Sequence, residues 1–260
     1  MNFSEKLVEW YNGNKRNLPW RLTKQPYKIW VSEIILQQTR IEQGQKYYYS
    51  FLKKYPNIYK LAKTSDDELL KIWEGLGYYS RAINMFKTSK IIVDKYNGIF
   101  PSNYDDLIKL PGIGDYTASA ISSICYNEVQ PVIDGNVLRF LSRMFKINLP
   151  IEKLKTKAYF KKLGFKLIKG VSPGDFNQAM MDFGSMVCRP KKYQCNKCIF
   201  SSNCKAFNSN TVMLYPFKEK RTKIKERFLN YIFIITNERK TRIKKRNGNG
   251  IWKNLYEFPL

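Results

Sequence analysis

Four cysteines, Cys188, Cys195, Cys198 and Cys204, follow the spacing C-x6-C-x2-C-x5-C, which puts four potential thiolates in one short segment. No secretory signal peptide is read at the start, and 260 residues bury a large core, so a disulfide framework is not expected. Four thiolates suit tetrahedral Zn²⁺ and equally a [4Fe–4S] cluster. The asymmetric spacing lacks the paired C-x2-C knuckles of common zinc folds and favours the cluster. The fifth cysteine, Cys125, lies in an apolar helical run and reads as an inert core residue. The chain has no histidine, which removes Ser–His and Cys–His nucleophile pairs and histidine-based zinc hydrolysis together. Acid–base chemistry must then come from carboxylates, Lys, Tyr or Cys. With about 100° between successive helical residues, Trp30, Ile34 and Ile41 define one apolar face. Glu33 falls at its border, with Gln37 one turn on. Partial desolvation there raises a carboxyl pKa and lets the group donate a proton near neutrality. Asp134, in Asp134-Gly135-Asn136, has the context of a turn or a helix N-cap.

The elements that must position these groups are helical. Apolar residues recur at three- and four-residue spacing over 3–10, 30–41, 69–72 and 82–93, and again around Leu107 and over 118–124, 137–145, 158–168 and 176–186. Asn97-Gly98, Pro101-Ser102, Pro111-Gly112 and Pro173-Gly174 divide the runs. No internal repeat is evident. After Pro216 the character changes: Lys218 to Arg227 reads as a basic linker, and Phe228 to Thr236 and Ile251 to Leu260 read as strands. Two strands make no independent domain, so this segment reads as the opening of an uncompleted β-domain. No apolar run approaches the roughly 20 residues that span a bilayer, and the chain is expected to be soluble and intracellular. The formal net charge of +25 favours a polyanionic partner such as nucleic acid, although a Lys-, Asn-, Ile- and Tyr-rich composition also reflects biased coding.

Leu110-Pro111-Gly112-Ile113-Gly114 joins two helical runs. Gly112 and Gly114 permit positive φ and close approach of backbone to a ligand, and amides opening the next helix form a phosphate site. In a chain this basic, the segment reads as a helix-hairpin-helix that grips the DNA backbone without reading sequence.

Taken together, residues from about Trp10 to Cys204 resemble the iron–sulfur helix-hairpin-helix DNA glycosylases, the endonuclease III superfamily. Three segments are similar to the adenine DNA glycosylases of MutY type: Leu18-Pro19-Trp20-Arg21, the run from Pro26 to Thr39 (PYKIWVSEIILQQT), and Ile133-Asp134-Gly135-Asn136-Val137. The resemblance implies an all-α, two-lobed fold with a short β segment at the C-terminus. Residues 1–215 would be catalytic, with a six-helix module over about 18–128, the hairpin at 104–125, and an iron–sulfur module from 1–17 with 129–215. Residues 216–227 would be the linker, and 228–260 the start of a Nudix-like domain whose lesion-reading loop is not reached, in a chain either naturally shortened or a fragment.

By the same resemblance Glu33 protonates adenine N7 and Asp134 stabilises the cationic sugar, the paired-carboxylate solution for glycosidic cleavage. Tyr116 stands where the endonuclease III branch has its Schiff-base lysine, so the strand should stay uncut. The target nucleotide must be flipped out of the duplex. Trp20, Arg21, Leu36 and Gln178 would line the adenine pocket, with Asn136 near the sugar, and Gln37 and Thr39 would also contact substrate or DNA. Gln38 and Tyr78 would enter the base stack, and Gly112 and Gly114 would hold the backbone. The four cysteines would carry [4Fe–4S] and organise a basic loop (Arg189, Lys191, Lys192, Lys197) against DNA, and a monovalent cation would sit at the hairpin. The implied partner is double-stranded DNA with A·8-oxoG or A·G mispairs, met by a cytoplasmic, nucleoid-associated monomer with no membrane contact. The rival readings are a bifunctional glycosylase–lyase or thymine-mismatch glycosylase of the same fold, and a non-catalytic mispair-binding remnant.

Overall fold

A computed structural model describes residues 2–219, 226–247, 252 and 255–259. Twelve α-helices account for most of them: α1 Phe3–Asn14, α2 Pro26–Ile35, α3 Ile41–Lys54, α4 Ile58–Ala62, α5 Asp66–Ile72, α6 Ser80–Tyr96, α7 Tyr104–Leu107, α8 Asp115–Tyr126, α9 Gly135–Phe145, α10 Leu154–Leu167, α11 Pro173–Met186 and α12 Lys205–Asn208. Their starts follow ordinary capping chemistry. Asn2 opens α1 in a capping box with Glu5, Ser65 accepts from Glu68 N at α5, and Ser172 precedes Pro173 at α11. The expected all-α class is the observed one.

Among the described residues two large apolar cores form, with a small third cluster of Ala206, Val212 and Tyr215. One is built by α2 to α8 around Trp30, Phe51, Leu61, Trp73, Met85 and Ile121. The other joins Leu7 and Tyr11 of α1 to Phe140, Phe160, Phe176 and Phe183 of α9, α10 and α11. Each buries several large side chains, the non-directional term that dominates helix packing. Where α11 crosses α9 the backbones nearly touch: a Cβ added at Gly184 would lie 2.7 Å from the Asn136 carbonyl oxygen.

Two expectations change. The apolar run over 30–41 is not one helix. It breaks after Ile35, and Gln38 takes φ 59° before α3 begins. The strand expected over Phe228 to Thr236 does not form. The paired residues are β1 Lys244–Lys245 and β2 Tyr256–Glu257, antiparallel, with an isolated bridge between Ile235 and Thr241. Strand-prone composition needs a partner to become a sheet, and Phe228, Ile232, Phe233 and Ile235 remain exposed. Of the expected linker, residues 220–225 lie outside the described ones, as do 251, 253, 254 and 260 of the second run.

Candidate active site

A cavity of about 180 Å³ is lined by Trp20, Arg21, Glu33, Leu36, Thr39, Tyr116, Asp134, Asn136, Gln178 and Met181, with Arg16, Leu18, Ile29, Ile41 and Ile124. Nine residues singled out from sequence therefore meet at one place. They arrive from five segments: the 3-10 turn Pro19–Arg21, α2 and the turn that follows it, α8, the start of α9, and α11.

Glu33 projects from α2 and is 8 % exposed. Burial pushes its carboxyl up to about 7, opposed by the Tyr116 hydroxyl and the Arg21 charge and reinforced by Asp134. The border position read from sequence is in fact a buried one. Tyr116, the second residue of α8, places its hydroxyl between the Glu33 carboxyl and Met181 Sδ, 3.3 Å away. Burial holds that phenol well above its ordinary value, so it stays protonated.

Asp134 is the N-cap of α9. Its Oδ1 accepts from Val137 N at 2.7 Å and its Oδ2 from Asn136 Nδ2 at 2.8 Å. Burial raises its pKa, while those bonds and the Arg139 charge oppose the rise. The helix N-terminus also favours the anion. Asn136 is held in turn by Arg139 Nη2, which donates to its Oδ1 at 2.9 Å, and Arg139 Nε donates to the Cys188 carbonyl at 2.8 Å.

Arg21 is fixed from behind. Asp182 on α11 is fully buried, receives Arg21 Nη2 at 2.7 Å and Arg16 Nε at 2.9 Å, and contacts Arg21 Nη1 and Arg16 Nη2 as well. Burial pushes the Asp182 carboxyl up, but the two guanidinium groups outweigh it and hold it below its ordinary value. Asp182 and Arg16 were missed from sequence. The available signal was the i, i+4 spacing of Gln178 and Asp182, which share a helix face.

Other expected residues lie elsewhere. Gln37 does not line the cavity; its Nε2 reaches Thr117 Oγ1 at 3.5 Å. Gln38 and Tyr78 are exposed, with φ 59° and 47°, on two surface turns. Buried Arg81 joins these turns. Its guanidinium donates to the carbonyls of Ile34 (2.7 Å), Ile35 (3.2 Å) and Gln37 (2.7 Å) on one side, and of Leu76 and Gly77 (both 3.2 Å) on the other. At the hairpin, Gly112 takes φ +76°, where a Cβ would sit 2.7 Å from Asn84 Cβ. Gly114 is the N-cap of α8 and faces open space.

The four cysteines line a separate apolar cavity with Phe140, Met144, Phe183, Phe200 and Val212. Cys125 is not among them; it is half-buried on α8, and burial pushes its thiol up to about 12. Burial also raises the thiols of Cys188, Cys195 and Cys198, the last to about 11. Arg143 Nη1 lies 3.5 Å from Cys188 Sγ, and Phe200 N donates to Cys198 Sγ at 3.4 Å. Arg143 also donates to the carbonyls of Val212 and Tyr215 (both 3.1 Å), Arg189 (2.7 Å) and Pro190 (3.2 Å). Among the described residues no three acidic, cysteine or histidine side chains converge as ligands of one ion. Four thiols around one apolar space are a donor set for one tetrahedral metal ion or for an iron–sulfur cluster. Arg189, Lys191, Lys192 and Lys197 are exposed around it. No helix among the described residues is long and apolar enough to cross a membrane.

Comparison with known proteins follows this geometry. Residues 31–165 match the family described as HhH-GPD superfamily base excision DNA repair protein. The chain is 38% identical over 262 residues to the adenine DNA glycosylase of Buchnera aphidicola subsp. Baizongia pistaciae, across 99% of this chain and 73% of that one. A thermostable thymine-DNA glycosylase structure superposes with TM-score 0.73 at 30% identity, covering 80% of this chain and 95% of that one. A trapped endonuclease III–DNA covalent intermediate superposes with TM-score 0.68 at 21% identity, covering 80% and 94%.

Proposed function

The chain belongs to the HhH-GPD superfamily of base excision DNA repair proteins, among its adenine DNA glycosylases, and from that premise we propose how its cavity takes an adenine and cuts it free. The substrate is adenine opposite 8-oxoguanine or guanine in duplex DNA. The nucleotide leaves the stack, with Gln38 and Tyr78 filling the gap from their two turns. The base enters the cavity between Trp20, Arg21, Leu36 and Gln178.

The observation that carries the reading is the buried Glu33 carboxyl, pushed up to about 7 in the same cavity as Asp134. An acid poised there holds its proton at working pH and delivers it to adenine N7, which makes the base a neutral leaving group. Positive charge then builds on the sugar. Asp134, aligned by Val137 N and Asn136, offers its carboxylate to that charge. Water adds at the sugar carbon and loses a proton, leaving free adenine and an abasic site.

Strand cleavage through a Schiff base needs an amine at the sugar. Among the described residues the cavity lining holds no lysine and includes Tyr116, which by the resemblance stands where the endonuclease III branch has that amine. The activity is therefore monofunctional.

Cys188, Cys195, Cys198 and Cys204 would hold a [4Fe–4S] cluster, supported by their common apolar cavity. Hydrolysis transfers no electrons, so the cluster would supply only metal–thiolate bonds, which would tie down the loop carrying Arg189, Lys191, Lys192 and Lys197. The loop and the first turn of α8, opening at Gly114, grip DNA phosphates. A monovalent cation at the hairpin assists that grip. The protein works as a monomer on chromosomal DNA.

The test is single-turnover release of adenine opposite 8-oxoguanine, guanine and thymine. Release from the first two, with an intact strand, is expected. Glu33→Gln should slow release by about 10³-fold or more while duplex binding persists; unaltered release would sink the assignment, and spontaneous strand cuts would favour the lyase reading.

A further inference from the structure

We infer that Asp182 is a positioning residue for the acid step: its carboxylate engages Arg21 and so keeps that guanidinium from pairing with Glu33 in the cavity they share. This rests on reading Glu33 as the proton donor. A buried carboxyl meets two opposite pulls. Desolvation holds its proton, and a neighbouring cation draws the proton off. The second pull matters wherever a cavity has cations in its wall, because a carboxylate paired with arginine has no proton to give.

Among the described residues that line the Glu33 cavity, Arg16 and Arg21 are the only cations. Asp182, on α11 and without exposed surface, takes both. Arg21 meets it as a fork, Nη1 on Oδ2 and Nη2 on Oδ1, the second at 2.7 Å. Arg16 reaches the same carboxylate from a more exposed position, its Nε on Oδ1 at 2.9 Å. The Arg21 guanidinium also lies over the Tyr11 ring, 5.5 Å from its centroid. Among the described residues its hydrogen bonds go to Asp182 and to the Arg16 carbonyl, and none goes to Glu33. The two guanidinium groups hold the Asp182 carboxyl below its ordinary value, so it stays anionic while Glu33 titrates.

The other titratable groups around Glu33 are Tyr116 and Cys125 from α8 and Asp134 from α9. Burial keeps the phenol and the thiol neutral, and the Asp134 charge opposes ionisation of Glu33. The Arg21 charge already favours the Glu33 carboxylate from where it is held. Without Asp182, the anions left to it in the cavity would be Glu33 and Asp134. Pairing with Glu33 would ionise the acid before any base arrives.

The experiment follows single-turnover adenine release by the full chain, Asp182→Asn, Arg21→Gln and the double variant from about pH 5 to about pH 9. Asp182→Asn frees Arg21 and should move the alkaline fall in rate down by about one pH unit. Release should then drop about tenfold at the alkaline end and stay within about twofold at the acid end. Arg21→Gln should keep its midpoint within about half a unit of the wild type, whatever happens to its rate. The double variant should return to the wild-type midpoint. Equal slowing by Asp182→Asn at every pH would make Asp182 a structural support and overturn the inference. An acid shift that survives in the double variant would overturn it too, because the Asp182 charge would then act without Arg21. If Asp182→Asn does not fold, Arg21→Gln decides: a midpoint raised by about one unit or more would mean that Arg21 already pairs with Glu33 in the wild type. If Glu33→Gln releases adenine at the wild-type rate, the reading of the acid falls; if it does not and the Asp182→Asn midpoint is unmoved, only the role of Asp182 falls.

Discussion

The two ends of α9 handle charge in opposite ways. At its start, Asp134 is a desolvated carboxylate whose three hydrogen-bonding and charged neighbours do not offset burial, so its proton affinity rises. It shares a cavity with Glu33, another acid made uncomfortable by burial. Two turns further on, Arg143 is 3% exposed, yet it donates to five carbonyls and approaches a cysteine sulfur. One end stores electrostatic tension and the other discharges it. Reactive groups need the first condition, because a satisfied acid has no reason to give up or attract charge. A loop that must hold four thiols in place needs the second.

That contrast can be broken from either side. The largest effect is expected at the tense end: Asp134→Asn keeps the cap geometry but removes the charge, and single-turnover release should fall by about 10³-fold. Denaturant unfolding of the same variant should show little change or a gain. At the satisfied end the pattern should invert. Arg143→Ala leaves several carbonyls without donors and should cost about 3 kcal/mol in denaturant unfolding, with loss of any visible absorbance from a bound cluster. A pH dependence of similar size comes last. The folded state keeps the Glu33 proton up to about pH 7, whereas an unfolded glutamate loses it near its ordinary value. Stability should therefore fall as pH rises through that window. Glu33→Gln, which cannot ionise, should exceed the wild type above pH 7 by on the order of 3 kcal/mol and match it in acid. Adenine release by the wild type should decline as pH rises through about 7, where the folded state loses the donated proton.

What the sequence disclosed was chemistry carried by near neighbours. Glu33, Asp134, Asn136 and the cysteine quartet each sit in a short pattern whose spacing means something alone, and the helical periods placed most of their elements. What it concealed was pairing across the chain. Asp182 with Arg16 and Arg21, and Tyr11 with Gln178, are separated by more than 160 positions, and no local pattern joins them. No local pattern marks Arg81, Arg139 and Arg143 apart from the many other cations of this basic chain. They are buried donors to backbone carbonyls, a use of arginine that depends on which loops end nearby. The strand reading at 228–236 failed for a related reason: composition states a preference, and only a partner edge satisfies it.

Arg81 carries a consequence of its own. Its donors are divided between the turn after α2 and the turn before α6, so neither turn can open without stranding a buried cation against the other. The two turns are then one cooperative unit of local unfolding. Amide hydrogens on both should exchange with solvent at a common rate, and a duplex that orders one turn has already met the entropic cost of ordering the other.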